Sequence, residues 1–162
     1  MLMRKRAWDI VREDYVRVES EDSLTLAMQK LLHCVKSGNG CLCALVFEGS
    51  GLLGAVSIWD TVRFMNASLK QSGLKKDMNE GDFEEMFHIA CKLGAATRVT
   101  DIMDKDFTAL APDMPLVDVM ANFVKKGRSY AIVKEGTQTL GVIMIQDVFA
   151  ALAEEIKLKG SC

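Results

Sequence analysis

The 162-residue chain has no long block of basic residues, and its formal charge is −2 with 20 Lys and Arg against 22 Asp and Glu. It therefore lacks the electrostatic footprint of a general nucleic-acid binder. Its two tryptophans, Trp8 and Trp59, are too few and too scattered for a base-stacking platform. It also lacks an apolar run long enough to span a bilayer: the longest stretches resemble CLCALVF at 41–47. The start, MLMRKRAWDI, is basic like a signal peptide, but Arg12, Glu13 and Asp14 arrive before any apolar segment. A cytoplasmic protein with no membrane contact is expected, and its five cysteines are expected to be thiols. His33-Cys34, Cys41-x-Cys43 and His88-x-x-Cys91 do not form paired CxxC knuckles, so burial as small hydrophobes is the default reading and no metal is expected. No base stands near a cysteine to mark a nucleophile. What the chain does have is apolar content, 49% hydrophobic against 26% charged, enough for a real core.

That content is arranged twice. Residues 6–32 align with 98–124 at a constant offset of 92, so that Arg6, Asp9, Ile10, Asp14, Leu24 and Met28 recur as Arg98, Asp101, Ile102, Asp106, Leu116 and Met120. ALVFEGSGLLGAVSIWDTV at 44–62 aligns with AIVKEGTQTLGVIMIQDVF at 131–149 at an offset of 87. The offset falls because the first copy carries the longer connection HCVKSGNGCLC where the second has KKGRSY.

Each copy reads as β-α-β-β-α. A short extended piece (15–18; 107–110) precedes apolar residues at helical spacing: Leu24, Ala27, Met28, Leu31, Leu32 and Val35, and in the twin Leu116, Val119, Met120, Phe123 and Val124. Asp113 and Pro115 predict a cap and a first-turn proline for the second of these helices. Two short apolar strands joined through EGSG or EGTQ follow, and Asp60 and Asp147 then open further helices. One such unit is small and one-sided, so two copies packing their sheets together is the physical expectation. The expected class is α+β, with repeats at 1–65 and 98–158 and a connecting segment at 66–97. Residues 66–81 read as a polar, mobile surface connection. Phe83, Met86, Phe87, Ala90 and Leu93 predict a helix near 83–94, capped by Asp82 and Glu85 and docked through Phe83, Phe87 and Leu93.

The β-α-β-β-α order, the Asp-Ile starts and the twice-occurring signature glycine-hydrophobic-x-Ser/Thr-x-x-Asp resemble a tandem pair of CBS domains, the cystathionine-β-synthase type module also called a Bateman module. The resemblance covers both repeats, packed with pseudo-twofold symmetry, and leaves out residues 66–97. It implies a non-catalytic regulatory module that binds an adenosine-containing ligand (AMP, ADP, ATP or S-adenosylmethionine) in the cleft between repeats. It also implies a homodimer formed by the post-signature helices and an output to a separate target protein. No other cofactor is implied.

The residues can serve that chemistry. A helix start aims backbone N–H groups at an anion, the Asp60 carboxylate can accept from a ribose diol, the Ser57 hydroxyl can donate to phosphate, and Arg63 adds a positive charge. By the family's pattern Arg98, Arg128 and Ser129 would face Asp60. The plainer alternative is that Asp60 and Asp147 only cap helices, that Gly54 and Gly141 only relieve a close backbone approach, and that the arginines are solvated. The two signatures are unequal: GAVSIWD is complete, whereas GVIMIQD has Met144 in place of Ser or Thr and Ala150 in place of Arg63. A thioether cannot donate to phosphate, so the Asp60 copy is expected to be the stronger. A ligand-free dimerising module and a thiol or metal sensor are the alternatives on the same fold.

Overall fold

The computed structural model describes residues 4–73 and 77–160. In chain order the elements are α1 (Ala7–Ile10), β1 (Val16–Glu19), α2 (Leu24–Lys36), β2 (Cys43–Glu48), β3 (Gly51–Ser57), α3 (Ile58–Gln71), α4 (Glu80–Ala96), α5 (Val99–Ile102), β4 (Ala109–Leu110), α6 (Leu116–Lys126), β5 (Tyr130–Glu135), β6 (Gln138–Met144) and α7 (Ile145–Lys159). The class is α+β, with two three-stranded sheets ordered β1-β2-β3 and β4-β5-β6. In each sheet the first pair is parallel and the second is an antiparallel hairpin. The duplication extends to irregularities: the ladder slips at Val46/Phe47 in one hairpin and at the equivalent Val133/Lys134 in the other.

The compact units do not coincide with the sequence repeats. One unit is residues 16–105, and the other joins 4–15 to 106–160. The short helix that opens each repeat therefore packs with the other copy's sheet. In the 16–105 unit, Val99 of α5 is fully buried with Val18, Leu24, Ala27, Val46 and Val56. In the discontinuous unit its equivalent, Ala7 of α1, is fully buried with Leu116, Val119, Val133 and Ile143. Burying a side chain of Val size contributes roughly 1.5–3 kcal/mol, which α5 gains at Val99; α1 has only the smaller Ala7 there and adds the partly buried Ile10 and Val11.

Backbone pairing completes the attachment. Arg12 exchanges N–H···O bonds of 2.8 and 3.0 Å with Val142, and Asp104 exchanges bonds of 2.8 and 3.1 Å with the equivalent Ala55. These bridges occupy the outer edge of β6 and of β3, which would otherwise present unpaired amides and carbonyls. Gly141 and Gly54 make room for them. A Cβ on Gly54 would stand 2.6 Å from the Asp104 carbonyl oxygen, and one on Gly141 would run into the Arg12 carbonyl.

Several local expectations are corrected. α3 runs through Gln71, so residues 66–71 are helical, not a polar connection. Residues 74–76, expected in that connection, lie outside the described residues. α4 begins at Glu80, because the Asn79 side chain accepts from Asp82 N at 2.8 Å and caps the helix ahead of the predicted box. It docks within its unit through Met86, Ala90 and Gly94, one helical face, while Phe83, Phe87 and Leu93 stay exposed. Gly94 permits this close seat: a Cβ there would lie 3.3 Å from Thr25 Oγ1 on α2. At α6, Pro115 takes the cap position itself with no side-chain cap, and the Asp113 carbonyl accepts from Arg6 Nη1 at 3.0 Å.

The cysteines also depart from expectation. The connection after α2 turns back through Gly38 and Gly40, both at positive φ, and brings Cys41 to Cys34 in a disulfide with Cα atoms 6.0 Å apart. Among the described residues, Cys43 and Cys91 are free thiols.

Candidate functional site

The hairpin β2–β3 ends beside the start of α3. Cys43 stands opposite Ser57 across the ladder, and the Leu42 carbonyl accepts from Ile58 N at 2.9 Å. Ser57 is the helix cap: its Oγ accepts from Asp60 N at 3.1 Å, while Asp60 Oδ2 accepts from Ser57 N at 2.8 Å. This reciprocal box satisfies two amides that the helix start leaves over. Arg63, one turn on, donates from Nη2 to Asp60 Oδ1 at 2.8 Å and lies 5.8 Å over the Trp59 ring. The structure thus brings Ser57, Asp60 and Arg63 into one network, with Ser57 buried and the Arg63 side chain 64% exposed. The Ser57 hydroxyl hydrogen is not consumed by its capping role, so it keeps a donor.

Cys43 borders this network without chemistry of its own. Burial, followed by the nearby Asp60 carboxylate, pushes its thiol up to about 12. It is therefore a neutral thiol at physiological pH and no nucleophile.

The corresponding place in the other unit is built differently. Ser129 O accepts from Ile145 N at 2.8 Å, which sets Ser129 at the start of α7 beside Met144. Asp147 Oδ2 accepts from Met144 N at 2.9 Å, repeating half of the Ser57–Asp60 box. The other partner was not foreseen from sequence. Arg12 grips the carboxylate through one edge of its guanidinium, Nε donating to Oδ2 at 2.9 Å and Nη2 to Oδ1 at 2.6 Å, with Nε also reaching Oδ1 at 3.1 Å.

Arg98 stands at the backbone cap of α5, next to the start of α2, and does not join the Ser57–Asp60–Arg63 network. Arg128, half-buried, and the exposed Ser129 precede β5 in the unit of Asp147.

An apolar cavity of about 480 Å³ lies between α2, α3 and α4, walled by Met28, Leu31, Val35, Phe64, Phe87 and Ala90 among others. No charged side chain lines it, so it does not suit a phosphate. Among the described residues no group of three or more His, Cys, Asp or Glu is placed to hold a metal ion.

Residues 99–154 match the family model of the CBS domain. No curated protein matches the chain in sequence. Among solved structures, a putative acetoin utilization protein (AcuB) from Vibrio cholerae is similar with a TM-score of 0.66 and 16% identity, covering 98% of this chain and 97% of that one. CBSX2 in complex with AMP is similar with a TM-score of 0.64 and 18% identity, over 94% of this chain and 98% of that one. The CBS domain pair of MJ0100, in complex with 5′-methylthioadenosine and S-adenosyl-L-methionine, has a TM-score of 0.64 and 14% identity, over 93% and 98%.

Proposed function

Starting from a chain whose residues 99–154 are a CBS domain and whose fold is that of a tandem CBS pair, we propose that it is a non-catalytic regulatory module for an adenosine-containing ligand. The observation that carries this reading is the Ser57–Asp60–Arg63 network at the start of α3. There a helix start favours an anion, a carboxylate suits a ribose diol, and an exposed guanidinium can turn to a phosphate. The AMP, 5′-methylthioadenosine and S-adenosylmethionine held by two proteins of like fold support the choice of ligand class. The roles of Ser57, Asp60 and Arg63 are recognition roles, and the occupied state acts on a separate protein in the cytoplasm. No helix among the described residues is long and apolar enough to cross a membrane.

A panel of AMP, ADP, ATP and S-adenosylmethionine tests the reading by thermal shift. A true ligand at a hundredfold excess over its Kd adds about 2.7 kcal/mol of stability. A melting temperature unmoved by all four sinks it.

A second reading, a ligand-free dimerising module, is favoured by one observation: both signature aspartates already serve as third-residue partners of a helix cap. Either reading includes a homodimer. α7 exposes Ile145, Phe149 and Ile156, with Phe149 69% accessible, and a symmetric pair of copies is the commonest way to cover such a stripe. Sedimentation is expected to show a dimer at tens of micromolar; a monomer with and without nucleotide removes the claim.

A further inference from the structure

The two signature aspartates sit at equivalent helix starts, yet their carboxylates are held by different means. Asp60 is met by Arg63 from its own helix, through one contact and a side chain 64% exposed. That arginine can swing away into water without its own charge being desolvated, and the Asp60 carboxylate it leaves, 14% exposed, keeps its bond from Ser57 N. Asp147 is met by Arg12 from the chain's leading segment, and both carboxylate oxygens are engaged. The pair is partly withdrawn from solvent, with side chains 30% and 17% exposed. The backbone of Arg12 is itself tied to Val142 in both directions, and Gly141 leaves space only for that strand of chain.

From this we propose that Arg12 is the specificity-determining residue that closes the second signature site, so that one of the two duplicated sites takes ligand. The inference rests on the adenosine-ligand reading of the Asp60 site. A ribose diol needs the carboxylate oxygens as acceptors. At Asp147 those oxygens already carry bonds from a guanidinium in which donor and acceptor are both ionised, whereas a ribose hydroxyl that replaced them would bring charge on the acceptor side alone. Displacing Arg12 would also leave its charge half-buried without that partner. The first copy has no such closure, because the residue equivalent to Arg12 is Asp104, whose carboxylate cannot form an ion pair with another carboxylate. Met144 and Ala150 remove the hydroxyl and the positive charge from the second site. Arg12 removes its acceptor, which is the larger loss because every ligand of the class carries the ribose.

Calorimetric titration with ATP, repeated with AMP, tests the proposal on the full chain. The wild type is expected to take one equivalent per chain. Arg12→Ala is expected to take two, the added site filling at ligand concentrations at least tenfold below any at which the wild type takes up a second equivalent. Arg12→Ala/Asp147→Ala is expected to return to one. Arg12→Gln, which keeps the aliphatic stem and loses the charge, serves if the alanine variant fails to fold by circular dichroism. A wild type binding one and an Arg12 variant still binding one overturns the role of Arg12 and leaves the Asp60 reading intact. A wild type already binding two also overturns it. A wild type binding none while the Arg12 variant binds one upholds the closure and removes the Asp60 reading. No binding by either protein removes both.

Discussion

Asp60→Ala is expected to abolish binding of AMP or ATP, with a Kd raised at least a hundredfold, while Asp147→Ala leaves binding in place and lowers stability instead. The asymmetry follows from what each carboxylate does. Asp60 accepts from the N–H of the cap residue Ser57 and holds an exposed arginine, so its folding contribution is that of a capping interaction, about 1 kcal/mol. Its recognition contribution is larger: two hydrogen bonds from a ribose diol to a charged acceptor, at roughly 1.5–3 kcal/mol each, account for the expected affinity loss. Asp147 has the reverse balance. Its removal leaves the Arg12 guanidinium half-buried without its carboxylate, and about 2–3 kcal/mol of stability should go with it. Titration calorimetry and urea unfolding of the two variants read the two effects separately. Equal binding losses in both, or loss with Asp147→Ala alone, would reverse the ranking of the sites. Losses of about 1 kcal/mol in both with unchanged binding would mean that the aspartates are caps and nothing more.

Gly141→Ala is expected to be among the most damaging single-methyl additions in the chain. The new Cβ would press on backbone: the Arg12 carbonyl oxygen, its carbon at 2.8 Å and the Val11 side chain at 2.9 Å. Neither of the paired backbones can retreat without breaking the Arg12–Val142 bridge. A cost of about 3 kcal/mol is the upper part of the ordinary range for overpacking. Gly54→Ala should cost about 2 kcal/mol, since the Asp104 oxygen at 2.6 Å is backbone but Met103 is a flexible side chain. Gly136→Ala is the contrasting case. It meets nothing within 4 Å and differs only in its φ of +61°, so about 1 kcal/mol is expected. Urea denaturation of the three variants should reproduce that order; a Gly141 variant no worse than the Gly136 variant would show that the crossing segment is loosely held.

Much of this architecture was legible because side-chain periodicity carries it. The apolar spacings from Leu24 and Leu116 marked α2 and α6, and the EGSG and EGTQ turns marked the hairpins. Which sheet each leading helix joins was not legible. The attachment is made by backbone groups of Arg12 and Asp104 to Val142 and Ala55, and backbone pairing writes almost nothing into the sequence. Both hairpins offer the same glycine gap, so periodicity cannot choose between them. The Arg12–Asp147 pair left one faint trace: at the aligned positions 12 and 104 an arginine stands against an aspartate, a charge reversal in a duplicated unit. The Cys34–Cys41 pairing hid in the longer connection of the first copy, where a spacing of seven residues names no partner by itself. Ser57, Asp60 and Arg63 were readable as a trio because they share one helix start, whereas no local spacing relates Arg98 to the adjacent pair Arg128 and Ser129.

The exchange of leading segments has a consequence for how the chain is made. The 16–105 unit can close once its last residue has left the ribosome. Residues 4–15 are synthesised first, yet the edge of β6 that receives them and the carboxylate that Arg12 grips come more than a hundred residues later, a separation of 135 for that pair. At about 5–20 residues per second of elongation, the arm waits roughly 7–27 s for its seat. During that interval the β3 edge of the earlier unit, with its own glycine gap at Gly54, is open until Asp104 arrives to fill it. Arg12 and Asp104 end on different edges, and the Gly54 edge receives its own unit's Asp104 before the strand that seats Arg12 has been synthesised.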